Sequence, residues 1–463
     1  MRYVSTRGTA PVLDFEGALL AGLARDGGLY VPAKWPRLGK PQWRALAGLS
    51  YAEAALHVMQ PFVGAAFSRR ELEQDIEAAY AGFGHRAVAP LVQLAPERWL
   101  LELFHGPTLA FKDYALQLLG RLFDRALKRR RRRVTILGAT SGDTGSAAIE
   151  AFRDSPVAEI VMLHPKGRVS EVQRRQMTTV LAPNVRNVAI AGTFDDCQAL
   201  VKAAFVDLAF RDAMNLSAVN SINWARVMAQ TVYYAVAAVA LGAPGRAVAF
   251  SVPTGNFGDV FAGYVARRMG LPVSRLMVAT NRNDILARFF ATGEYRSGRV
   301  SPTHSPSMDI QVASNFERLL FDLQRRDGAA TARLMRSFER ERRMAVARER
   351  LAEARRLFDS RAVDERATLA TIARVWKENA LLLDPHSAVG VAAAETMTEA
   401  PVVALATAHP AKFPDAVERA TGRRPELPPR LADLLGRPER CVDLPNDLGA
   451  LQAYMRDTQG RAP

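Results

Sequence analysis

Six short apolar runs rich in β-branched residues limit what this chain can become: Val134–Leu137, Glu159–Leu163, Val185–Ile190, Ala247–Val252, Arg275–Ala279 and Val402–Ala406. Each is followed by a glycine or polar turn and usually by a helical stretch. Strands that are apolar on both faces need cover on both faces, and strands separated by helices pair in parallel. The expected fold class is α/β with parallel sheets, in a chain of 463 residues that can enclose two or three cores. Residues 1–85 lie outside the alternation. The Gly27-Gly28 turn, helical stretches at Tyr51–Met59 and Arg69–Tyr80, and an exit marked by Gly82, Gly84 and Pro90 describe a small N-terminal domain. Residues 86–430 form the main body. A charged helical pair at 317–357 interrupts it, expected on the surface, and 431–463 is read as a tail.

The chain carries 62 Lys and Arg against 47 Asp and Glu, a net charge of +15. Such a balance fits a nucleic-acid partner, an anionic substrate or an arginine-rich composition in general. Its densest part, Lys128–Arg133, follows Ala115, Leu116, Leu119, Leu122, Phe123 and Ala126 at helical spacing. The cations therefore sit at a helix C-terminus, where they oppose the negative end of the dipole. No aromatic residue interleaves them for stacking on bases, so a solvated helix end is expected. The opening residues lack the apolar core of a secretory signal, and the longest apolar run, Thr231–Ala240, spans ten residues. That run reads as a buried core helix, and no membrane partner is expected. Cys197 and Cys441 are too few for a disulfide framework, which points to the cytoplasm. His57, His85, His164, His304 and His386 show no metal-ligand spacing and are expected to be structural or superficial, with no metal bound.

Five stretches carry chemistry. In Phe104–Asp113 a Gly-Pro turn leads into an amphipathic helix that begins at Lys112. The positive dipole end there disfavours an ammonium, which suits a lysine needed as a neutral amine; the other reading is a side chain that simply reaches solvent. Gly138–Ser146 and Val252–Asp259 each follow a strand and precede a helix. Small residues let an anion approach the helix N–H groups in such loops, and Thr140, Ser141 and Thr144 add hydroxyls. Two such cradles point to ligands with two anionic groups. The fourth stretch, Ser217–Arg226, brings Asn220, Ser221, Asn223 and Arg226 to the head of an apolar helix; Asn220 or Ser221 serves there as an N-cap or as a ligand group. The fifth, Thr407–Lys412, lies just past the carboxyl end of a strand, where open parallel sheets bind ligands.

Taken in order, FHGPTLAFKD, GATSGDTGSAA, INWARVMAQTVYY, VPTGNFGD, MDIQVASNFERLLF and ATAHPAKF resemble the threonine synthase family, in its longer branch with an extra N-terminal domain. The likeness runs from residue 1 to about 420. It implies the architecture of tryptophan synthase β-subunits and threonine dehydratases (fold type II), with two parallel-sheet lobes holding pyridoxal 5'-phosphate, plus a small N-terminal α+β domain. It also implies conversion of O-phosphohomoserine and water to threonine and phosphate. By matching motif, Lys112 is the Schiff-base lysine and Gly255, Asn256, Phe257 and Gly258 cradle the cofactor phosphate. Thr407 hydrogen-bonds the pyridine nitrogen. Thr140, Ser141, Asp143 and Thr144 lie where such enzymes hold the substrate carboxylate, and Lys166, Asn220, Asn223 and Arg226 face the substrate phosphate. A homo-oligomer is allowed for, its state left open. Three other readings remain: a sister dehydratase or phospho-lyase that stops at the 2-oxoacid, a nucleic-acid-binding protein using Lys128–Arg133, and a binding protein of this fold without a reactive Lys112.

Overall fold

The computed structural model describes residues 1–218 and 221–459. They divide into two compact units, Met1–Gly106 with Ser221–Pro425, and 107–218 with 426–459. The predicted runs all form strands, extended by one or two residues at some ends and with Ala247 left out, as Val134–Ala139, Ala158–Pro165, Val185–Ile190, Val248–Pro253, Val273–Thr280 and Val402–Ala406.

In the first unit a six-stranded sheet runs in the order Phe358–Ala362, Val273–Thr280, Val248–Pro253, Val402–Ala406, Arg98–Glu102, Leu91–Ala95. All neighbours are parallel except the last pair, an antiparallel edge. The central strands are buried on both faces, as their unbroken apolar character requires. Helix Trp224–Ala240 is buried along most of its length and contains the Thr231–Ala240 run. The N-terminal stretch packs into this unit, with Phe62 and Tyr3 tilted against the Trp224 ring at 5.6 and 6.0 Å.

The stretch expected as a surface helix pair is instead three helices, Phe316–Leu323, Gly328–Glu341 and Arg348–Arg355, and the first lies in the core. Arg318 is fully buried and Glu317 nearly so. Their burial is offset by local partners. Arg318 donates from Nε and Nη2 to the Tyr30 carbonyl at 3.2 and 3.1 Å, and Glu317 accepts from Thr6 Oγ1 at 2.5 Å and from Arg7 at 3.2 Å. Burial lowers the Arg318 pKa to about 9.

The second unit holds a parallel sheet ordered Val442–Leu444, Val185–Ile190, Ala158–Pro165, Val134–Ala139, Leu216–Ser217. The stretch read as a tail supplies its edge strand. It then supplies helix Leu448–Thr458, whose Leu451 and Met455 join a core of Leu137, Val161, Leu163 and Val188. Helix Lys112–Arg129 begins where the Gly-Pro turn led the sequence to place it, around Lys112, and Lys128–Arg133 are exposed at and beyond its end. Among the described residues no helix is long and apolar enough to cross a membrane, and no group of three or more His, Cys, Asp or Glu could hold a metal ion.

Candidate active site

In the second unit the site grows from three successive chain turns. Leu109, buried and held at φ 62°, bends the chain so that Lys112 opens its helix with no side-chain cap from Phe111. A bulky residue in the left-handed region is a strained element of the kind that clusters at functional sites. Asp113 fastens the turn by accepting from the Thr108 N–H at 2.8 Å and Thr108 Oγ1 at 2.6 Å. Lys112 is buried, and its Nζ lies 3.1 Å from Asp143 Oδ2. Asp143 is the first residue of helix Asp143–Phe152, directly after the strand and loop that the sequence marked as an anion cradle. Its other oxygen accepts from Gln173 Nε2 at 2.8 Å. Gly142, at φ 139°, is required there: a Cβ would lie 2.5 Å from the Gln173 amide carbon.

Of the residues assigned to the substrate carboxylate, Asp143 accepts from Lys112 and Gln173. Thr140 Oγ1 accepts from the N–H groups of Gly142 and Gly145 at 2.9 and 2.8 Å, so it shapes the loop. Ser141 is exposed and Thr144 half-buried, and neither hydroxyl has a partner among the described residues. Lys166 is exposed and pairs with Asp443 at 2.6 Å.

In the first unit the loop after strand Val248–Pro253 holds Gly255–Gly258. Phe257 sits at φ 67° and packs its ring into the core beside Phe316, 5.2 Å away, which leaves only its backbone for a ligand. Helix Gly258–Arg268 starts with no side-chain cap from Phe257, while Asn256 Oδ1 accepts from Gly258 N at 3.0 Å. Space is tight at both glycines: a Cβ on Gly255 would lie 3.1 Å from the Ser307 carbonyl, and one on Gly258 3.1 Å from Asn315 Nδ2. Thr407 is tied to the same region. Its N–H donates to Ser387 Oγ at 3.0 Å, Ser387 donates to Asp384, His386 Nδ1 meets Asp384 at 2.8 Å, and His386 Nε2 accepts from Ser307 N at 3.1 Å. The Thr407 hydroxyl itself has no partner among the described residues.

Asn223, read as a substrate ligand, caps helix Trp224–Ala240 at its N-terminus. Its Oδ1 accepts from Ala225 N at 3.0 Å and its Nδ2 donates to the Leu19 carbonyl at 2.8 Å, so both ends are committed. Asn220, the other candidate, lies outside the described residues. Arg226 differs. It is buried, burial lowers its pKa to about 10, and Nη1 has no hydrogen-bond partner among the described residues. A buried guanidinium in that condition calls for an anion. The pattern of residues missed Gln173, Asn315 and the Asp384–His386–Ser387 chain. Only the last had a legible signal, an aspartate followed by proline at a helix start.

Family models match along most of the chain: "Threonine synthase N terminus" over residues 2–80, "Pyridoxal-phosphate dependent enzyme" over 86–358, and "Threonine synthase, C-terminal" over 387–455. The threonine synthase of Pseudomonas aeruginosa is 58% identical over 459 residues, 98% of each chain. The chain belongs to the threonine synthase family. It shares that family's fold, with a TM-score of 0.98 to the pyridoxal-phosphate-bound threonine synthase of Brucella melitensis at 54% identity, covering 99% of this chain and 100% of that one. The threonine synthase of yeast follows at TM-score 0.94 and 37% identity, covering 99% and 98%. As a family member it is a pyridoxal-phosphate-dependent enzyme acting on a small molecule. The residues present fit that cofactor. A buried lysine suits its aldehyde, a loop with little room for side chains at Gly255 and Gly258 suits its phosphate, and the Thr407 hydroxyl suits a ring nitrogen.

Proposed function

We propose that the protein converts O-phosphohomoserine and water to L-threonine and phosphate. Full-length membership of the threonine synthase family carries this reading. Arg226 supports it physically, since a buried guanidinium whose Nη1 has no partner among the described residues matches a substrate with a distal phosphate. In this reading Lys112 holds the cofactor covalently, backbone N–H groups of Gly255–Gly258 hold its phosphate, and Thr407 faces the pyridine nitrogen. Ser141 and Thr144 offer hydroxyls to the substrate carboxylate from the loop that Thr140 shapes. Asn220 remains a candidate beside Arg226 for the substrate phosphate.

When bound, pyridoxal phosphate supplies the electron sink that lets one proton leave Cα, which bears the amino group, and a second leave Cβ. Lys112 Nζ is the base for those protons, taking them as a neutral amine and holding them as ammonium. A neutral hydroxyl at the ring nitrogen tempers the sink relative to a carboxylate partner. Arg226 steadies the phosphate so that it departs from Cγ while the amino group stays attached, which separates this outcome from elimination to a 2-oxoacid. The net charge of +15 favours approach of an anionic substrate. Nucleic acid is not part of this reading, and a homo-oligomer is compatible with it. A cytoplasmic setting suits the two free cysteines.

Incubation with O-phosphohomoserine tests the reading. Threonine and inorganic phosphate should form in equal amounts, with label from oxygen-18 water in the threonine hydroxyl. If 2-oxobutyrate dominates, or the label ends in phosphate, the assignment fails.

A further inference from the structure

We infer that Asp143 is a positioning residue for Lys112: it fixes Nζ in place and balances its charge each time that free amine takes up a proton. The inference rests on the proposed role of Lys112. Nζ lies 3.1 Å from Asp143 Oδ2, with both side chains buried. The carboxylate is held from two directions. It begins helix Asp143–Phe152, where the dipole favours negative charge, and its Oδ1 accepts from Gln173 Nε2 at 2.8 Å. Gln173 is fixed in turn by Ser170 Oγ, 3.0 Å from its Oε1. Gly142 leaves the space that the Gln173 amide occupies.

Charged and aromatic groups lie close to Lys112 within this unit. Asp143 is one. Asp113 is adjacent in sequence, but both its oxygens accept from Thr108 and it lies in the field of Arg430. The Phe111 ring centroid is 5.2 Å from Nζ. Two influences thus oppose each other at one nitrogen. The dipole of helix Lys112–Arg129 favours the neutral amine, and Asp143 favours the ammonium. A base must pass between these forms. When Nζ takes a proton from a substrate carbon, the C–H electron pair stays with carbon, an N–H bond forms, and Asp143 balances the new charge without taking the proton. It then keeps Nζ in one place for the next transfer. The loop's hydroxyls and N–H groups, and not this carboxylate, are left for an anionic substrate.

The test uses full-length Asp143→Asn and Asp143→Glu. Borohydride reduction of the wild-type holoenzyme first locates the cofactor; a label away from Lys112 would defeat the lysine reading and this inference with it. Next, the cofactor-free proteins are treated with acetic anhydride over a range of pH, and Lys112 modification is read by mass spectrometry. In Asp143→Asn the pH of half-modification should fall by about 1 to 3, and Asp143→Glu should restore it at least in part. In steady state Asp143→Asn should lower kcat on the order of 100-fold while KM stays within about threefold. An unchanged modification profile, or an unchanged kcat with a KM raised about tenfold, overturns the inference while leaving Lys112 standing. Should Asp143→Asn fail to fold, Gln173→Leu frees the same carboxylate and should lower kcat severalfold without moving KM. An unchanged kcat in that variant also overturns it.

Discussion

Tyr233 donates a 2.5 Å hydrogen bond to Asp259 Oδ1, and Tyr234 donates to the same oxygen at 2.8 Å. The two phenols belong to helix Trp224–Ala240, and the carboxylate to the second position of helix Gly258–Arg268. The bond therefore pins the helix whose first turn forms the proposed phosphate cradle to the helix that carries Arg226. Burial raises the Asp259 pKa from 3.8 to about 6, against the lowering effect of the two phenols, and Oδ2 has no partner among the described residues.

That shift sets a pH dependence. Between 3.8 and about 6 the folded protein keeps the Asp259 proton that the unfolded chain has released. Stability from this group is therefore lost as pH rises through that window, by on the order of 3 kcal/mol in all. Asp259→Asn cannot titrate. Urea unfolding from pH 4 to 6.5 should show the wild type weakening relative to the variant, and a constant difference would contradict the assignment.

Lys112→Ala should abolish covalent fixation of cofactor by borohydride and lower turnover by several orders of magnitude, because nucleophile and base are removed together. It also removes the cation beside the buried Asp143 carboxylate. Cofactor-free Lys112→Ala should lose roughly 3 kcal/mol of stability, and adding Asp143→Asn should recover part of it. Denaturation of the single and double variants checks this coupling.

Gly258→Val places a branched side chain where a Cβ already lies 3.1 Å from Asn315 Nδ2 and 3.2 Å from Asn256 Oδ1. The loop must shift, and cofactor content after dialysis should fall sharply. Full retention would mean that the phosphate is held elsewhere.

Thr407→Asp replaces a neutral partner of the pyridine nitrogen with an anion, which favours the protonated ring. The absorption spectrum of bound cofactor and the product ratio should both change. If neither moves, Thr407 does not face that nitrogen.

Arg226→Met should raise KM for O-phosphohomoserine by about 10- to 100-fold while cofactor content stays unchanged. Because the guanidinium is buried with Nη1 unpartnered, the ligand-free variant should be at least as stable as the wild type. Thermal unfolding and steady-state kinetics together test the pairing of these outcomes.

The sequence by itself determined the strands, the start of helix Lys112–Arg129 and the loops at Gly138–Ser146 and Gly255–Gly258. Each is local: apolar runs, helical spacing and small residues between a strand and a helix report on neighbours within a few positions. Tertiary structure alone decided the rest. Arg318 looked like one charge among many on a surface helix, yet it is buried because the Tyr30 carbonyl, 288 residues away in sequence, accepts its hydrogen bonds. Val442–Leu444 is too short to announce itself and becomes a strand by pairing with Val185–Ile190. Asn223 and Arg226 lie three residues apart in one motif, and packing gave the first two intramolecular partners while leaving an Nη1 of the second without one. Asp143 was assigned to an anionic ligand from its place in a loop. Whether a buried carboxylate meets a cation or a ligand depends on which side chain is desolvated beside it, and Lys112 lies 31 positions away.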